Sequence, residues 1–210
     1  MSKLFRMDSP LMRFLTKIAD LMVLNILFCV TSIPLITIGA SWTALYSVTL
    51  KMVRDEEGSV SRSYFRSFRQ NFRQATLLWL GVLVVLALLV LDIRVLNGMA
   101  EGTAPGLLRV GVEILALLGI MVLQYLFPSL ARFEASLADT LKNACMMALV
   151  HLPKTALMTA AAVGAVWITL INNTTIAVGL MVWPLIGFSL MAFGNSGILR
   201  KIFDNYVPKA

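Results

Sequence analysis

Residues 155–199 read TALMTAAAVGAVWITLINNTTIAVGLMVWPLIGFSLMAFGNSGIL, forty-five positions without one ionisable side chain. A helix rises 1.5 Å per residue, so about 20 residues cross the roughly 30 Å of bilayer hydrocarbon. The run therefore has room for two crossings. The polar cluster Asn172-Asn173-Thr174-Thr175 marks the turn between them. It contains glycosylation sequons, but a four-residue turn against the bilayer is a poor acceptor. In the second crossing Trp183-Pro184 predicts a kink, and Gly179, Gly187, Gly194 and Gly197 predict loose packing.

Three further charge-poor runs lie upstream, at 21–50, 75–91 and 114–130. The whole chain is 59% hydrophobic and 14% charged, with a mean hydropathy of +0.83. Soluble domains carry about a quarter charged residues, so this composition belongs to an integral membrane protein. Barrel strands alternate apolar and polar residues, whereas these runs are apolar all round. The expected fold is all-α, a polytopic transmembrane bundle forming a single membrane domain over 1–210. Cys29 and Cys145 fall in different environments and read as reduced, small apolar residues. The basic N-terminal stretch is too long for a signal n-region and lacks a small-residue cleavage site, so the first span is expected to be retained.

The run 21–50 is long for one span and short for two. In PLITIG, Pro34 removes a helix hydrogen bond and Gly39 is free to take a positive φ, a combination that predicts a tight reversal. Six spans follow, at about 18–33, 38–53, 75–96, 108–130, 154–171 and 176–199. The alternative is one kinked span and five crossings. Six crossings gather 16 of the 18 Lys and Arg on one side, leaving only Arg94 and Arg109 opposite. Positive charge stays with the cytoplasm, so both termini are expected there, in a bacterial plasma membrane.

Residues 61–74, SRSYFRSFRQNFRQ, hold four arginines, four aromatics and no acid. At 100° per residue Tyr64, Phe65, Phe68 and Phe72 share a sector of about 100°. Arg62, Arg66, Arg69 and Arg73 form a stripe about 120° away. Gly58 is expected to end the preceding helix and Ser59 or Ser61 to cap the new one. Such a helix suits the cytoplasmic membrane surface, with aromatics in the interfacial layer and arginines toward lipid phosphates or a partner. No groove-docking fold surrounds it, so nucleic acid is not an expected ligand.

Residues 132–154 repeat the plan. Ser136 and Asp139 fit a capping pattern, after which Leu137, Leu141, Ala144, Cys145, Ala148, Leu149 and Leu152 share a helical face. A second cytoplasmic interfacial helix is expected, with Pro153 in the first turn of the next span. Residue identity between the two halves is poor, so an internal duplication rests on plan alone. Ala156, Ala160 and Gly164 recur every four residues and predict a central fifth span.

No nucleotide, zinc-protease or hydrolase motif occurs, and one histidine, His151, cannot build a multi-imidazole metal site. The chain is expected to be no enzyme and to need no cofactor. Asn25, Glu113, Gln124 and Asn195 lie in predicted spans and are candidates to line a polar path. Competing readings are interhelical hydrogen bonds for the amides and an interfacial ion pair with Arg109 for Glu113.

The segments PLITIGASWTALYSV and YFRSFRQNFRQATLLW, with the Asp20 to Asn25 spacing, resemble the bacterial YesL family of multi-pass membrane proteins. The LKNA...LP segment is a looser likeness. Members carry a domain-of-unknown-function label and accompany genes for carbohydrate uptake, often beside sugar importers of the ATP-binding cassette type. The resemblance implies that context; with the two cytoplasmic interfacial helices it leads to the expectation of a non-catalytic accessory or permease-like subunit for oligosaccharide uptake. Its partners would be membrane lipids and importer membrane subunits, contacted through Arg62, Arg66, Phe68, Arg69, Phe72 and Arg73. The EAA...G loop of importer permeases is absent. A stand-alone solute transporter and a membrane scaffold or signalling partner are the alternatives.

Overall fold

The computed structural model describes residues 10–56, 58–99 and 102–206. Lys3, Arg6 and Lys209, counted above among the cytoplasmic cations, lie outside them. The described residues form helices α1 (Pro10–Thr31), α2 (Ile38–Met52), α3 (Val60–Gly98), α4 (Thr103–Arg132), α5 (Leu137–Val150), α6 (Leu152–Leu170), α7 (Asn173–Val182) and α8 (Phe188–Phe203). No strand occurs among them. A 3-10 turn, Leu35–Thr37, joins α1 to α2, and a π-helical turn, Trp183–Gly187, joins α7 to α8 in one unbroken rod.

Five helical segments are long and apolar enough to cross a bilayer: α1, α3, α4, α6 and the α7–α8 rod. The reversal expected at Pro34 is present, so 21–50 is not one kinked span. However, α2 has only 15 residues, about 22 Å, and falls short of a crossing length. The turn also differs in mechanism from the expectation. Gly39 has no positive φ and sits inside α2. A Cβ there would lie 2.6 Å from both the Ala75 carbonyl oxygen and the Trp79 Cβ, so this glycine lets α2 press against α3. Gly58 likewise does not reverse the chain. Asp55, at φ 54, takes the left-handed conformation after α2. Ser59 occupies the N-cap position of α3 without a side-chain bond.

The central helix is α2, not α6. Residues 39–41, 43–46, 48–50 and 52 are buried, covering its whole circumference. By contrast Ala156 and Ala160 of α6 are exposed, and no atom lies within 4 Å of a Cβ built on Gly164. Small residues permit close approach; they do not supply a neighbour. The kink expected at Trp183-Pro184 takes the form of the π turn.

One end of α1, α2 and α8 is tied by charge. Lys17 pairs with Asp55 at 2.6 Å, Arg54 with Asp204, and Arg200 with Asp204 at 3.7 Å. Arg200 also donates to the Val53 carbonyl at 2.9 Å, placing a cation at the negative C-terminal end of α2.

Candidate functional site

The arginine segment is the first half of α3, continuous with the apolar second half. Its aromatic sector divides. Tyr64 is fully buried, and its hydroxyl shares a 2.6 Å hydrogen bond with Thr31. Phe68 is half-buried beside it, while Phe65 and Phe72 face outward. The inner aromatics therefore pack the helix to its neighbours instead of meeting an interfacial layer. Arg62, Arg66, Arg69 and Arg73 are all exposed, and none forms an ion pair among the described residues. A depression of about 350 Å³ lies among Phe68, Arg69, Gln70, Phe72 and Arg73. Gln70 also borders a polar cleft of about 610 Å³ that runs to the α4–α5 turn and includes Gln74, Arg132 and Glu134. Gln74 donates to the Ala135 carbonyl at 2.6 Å and fixes that turn against α3.

Helix α5 starts as expected, with Ser136 accepting from the Asp139 amide at 3.2 Å. Its packed face is Thr140, Ala144, Met147 and Ala148. Leu141 and Leu149 of the predicted stripe turn outward, so the small residues contact the bundle and the leucines are left bare.

The candidate path residues are separated into three places. Asn25 is completely buried and donates to the carbonyls of Trp183 (2.9 Å) and Pro184 (2.6 Å) while accepting from the Ser189 amide (2.9 Å). A proline and a π turn disrupt the normal ladder, and this side chain closes the gap. Gln124 donates to Thr159 and accepts from Asn195, each at 3.2 Å, and Asn195 also donates to Tyr46. Glu113 stands eleven residues, about 16 Å, further along α4 and is exposed. Arg109 does not pair with it but donates to Asn97 of α3 at 2.5 Å.

Gln124 and Asn195 line a cavity of about 490 Å³ walled by Trp42, Tyr46, Trp79 and Phe127, with Trp183 and Phe188 at the π turn. Its surface is aromatic and aliphatic except for the amide pair. Sequence patterning does not predict this assembly, because its aromatics come from four separate segments. Tyr46 and Trp79 lie within the two quoted segments, but no spacing there links them to each other or to Gln124 and Asn195.

A profile of the family described as "Protein of unknown function, DUF624" matches residues 21–93. That stretch contains Asn25, the α1–α2 reversal and the whole arginine face. A search of curated proteins finds "Uncharacterized protein YesL" of Bacillus subtilis (strain 168), 27% identical over 159 residues, covering 75% of this chain and 74% of the relative. Over that stretch the chain is similar to YesL. Gln124 and Asn195 lie beyond the profile match, so the cavity straddles its boundary. No solved structure matches.

Proposed function

We infer that the chain is a non-catalytic accessory subunit for carbohydrate uptake in a bacterial plasma membrane, seated on its partner through the arginine face of α3. One observation carries the reading: four exposed guanidinium groups without acids project from a helix whose opposite side is fixed by Tyr64 and Phe68. The helix fixes the spacing of the row, and Arg forms bidentate pairs with carboxylates. Phe72 supplies an outward apolar anchor beside the row. The YesL resemblance supplies the context of sugar importers.

The test is affinity capture of the full chain from membranes in mild detergent. Importer membrane subunits should be recovered with the wild type and lost when Arg62, Arg66, Arg69 and Arg73 are changed together to Gln. Failure to recover them, with unchanged growth on oligosaccharides in a deletion strain, rejects the reading. The aromatic cavity favours a second one, passage of a small solute. Solute movement by the reconstituted protein without ATP, abolished by Gln124→Leu, would replace the first.

A further inference from the structure

We propose that the α1–α2 hairpin is re-entrant: its apex, residues 32–37, meets lipid acyl chains inside the bilayer, and the chain crosses four times. This stands on the fold alone and needs no part of the functional reading above.

Three observations converge. The first is reach along α3. Trp79 donates its indole N–H to the Leu35 carbonyl at 2.7 Å. Trp79 is six residues, about 9 Å, past Arg73, and nineteen residues, about 28 Å, short of the helix end at Gly98. The α7–α8 rod gives the same result. Phe28 packs on Phe188 with ring centroids 5.2 Å apart. From there α1 has three residues left, whereas the rod continues fifteen residues, about 22 Å, to its start at Asn173. The hairpin turns back well before its neighbours end.

The second is the surface of the apex. Ile33, Leu35 and Ile36 are 76%, 71% and 54% exposed, and no charged residue lies between Asp20 and Lys51. A loop in headgroups or water has no use for three bare aliphatic side chains around a proline. Hydrocarbon accommodates them.

The third is how the carbonyls of Thr31, Pro34 and Leu35 are satisfied. Non-helical backbone at membrane depth survives only where protein groups replace water. Thr37 supplies its hydroxyl to the Thr31 and Pro34 carbonyls at 2.6 and 2.7 Å, and its amide to Pro34 at 2.9 Å. Trp79 covers Leu35. The length of α1 would permit a crossing, but its partner α2 is only 15 residues long and is enclosed by the bundle. The crossings are then α3, α4, α6 and the α7–α8 rod. Because a hairpin enters and leaves on one side, α1 and α8 still present their charged ends to the same compartment.

The experiment uses the full chain in native membranes, with Cys29→Ala and Cys145→Ala as background. Single cysteines are placed by Ile33→Cys and Leu35→Cys at the apex, Asn172→Cys at the α6–α7 turn and Glu56→Cys in the α2–α3 connection. A membrane-impermeant maleimide is applied from each side. The reagent needs a thiolate, which does not form in hydrocarbon. Asn172→Cys should label from one side and Glu56→Cys from the other. Both apex cysteines should react at least tenfold more slowly from either side. A spin label there should collide more with oxygen than with a water-soluble nickel chelate. Apex labelling at the rate of Asn172→Cys from its side would overturn the proposal and restore six crossings. Rapid labelling from the Glu56→Cys side would equally overturn it, placing the apex in water.

Discussion

The region around α2 and the outer halves of α3 and α4 are both helical and both apolar, yet they are held in opposite ways. Around α2, hydroxyls and amides stitch one helix to the next: Thr31 to Ser41 and Tyr64, Thr49 to Ser196, and Asn25 to the π turn. Further out, α3 presents Val84, Val85, Leu88 and Val95, and α4 presents Leu107, Val110 and Ile114, all about half exposed or more. Arg109 to Asn97 is a polar tie there. Inside a bilayer apolar side chains gain little by leaving lipid for protein, so shape and hydrogen bonds decide which helices associate. The difference teaches that hydrophobicity places this chain in the membrane, while a small set of polar residues gives it a tertiary structure.

The largest expected effect comes from removing the central stitch. Asn25→Leu strands two carbonyls and the Ser189 amide in a dry interior, at about 1–3 kcal/mol for each buried group left unpaired, reduced by relaxation. A net loss of about 3 kcal/mol is expected, read as a fall in the thermal midpoint of detergent-solubilised protein. An unchanged midpoint would mean that Asn25 does not hold the π turn. Next comes Gly39→Ala, which drives a methyl group into the Ala75 carbonyl and Trp79. Overpacking of this kind costs about 1–3 kcal/mol. Gly164→Ala is the matched control on α6, where the added methyl meets open space, and it should not lower the midpoint.

Much of this was legible in the residues. Membrane class, the α1–α2 reversal, the cap of α5 and the disruption at Trp183-Pro184 all follow from charge-poor length and from local backbone chemistry. What stayed hidden depended on partners distant in sequence. Gly39 reads as a turn residue and Gly164 as a packing residue, yet of the two it is Gly39 that meets a neighbouring helix. Tyr64 and Phe65 share a predicted sector, yet one is enclosed by Thr31 and Ser41 and the other faces outward. Among the site candidates, the unpaired arginine row could be read from spacing alone. The junction of Gln124 with Asn195, seventy-one positions apart, could not.

A smaller effect is expected from Tyr64→Phe, which keeps the ring and removes one hydroxyl. Thr31 retains its bonds to Leu27 and Ser41, so the loss is that of one interhelical hydrogen bond, about 1 kcal/mol. Changing Arg62, Arg66, Arg69 and Arg73 to Gln should cost less still, because no arginine in the row has a counter-ion to lose. If the quadruple change lowered the midpoint more than Tyr64→Phe, the arginine row would be part of the scaffold and not a free face.

The smallest effect concerns Asp55, at the charged end of the stitched region. The Lys17 ammonium, hydrogen-bonded at 2.6 Å, is the chief reason its carboxyl titrates below the ordinary range. A pKa lowered by folding contributes stability above the unfolded value, about 3.9, and that contribution disappears as the pH falls through the folded value. Asp55→Asn should therefore lower the thermal midpoint slightly at pH 7, and the gap between variant and wild type should narrow as the pH falls below about 3.9. The carboxylate is exposed to solvent, so added salt should shrink the gap at pH 7 as well. A gap that does not narrow at all below the unfolded value would assign the effect to the left-handed backbone at φ 54, which Asp and Asn tolerate differently, and not to the charge pair.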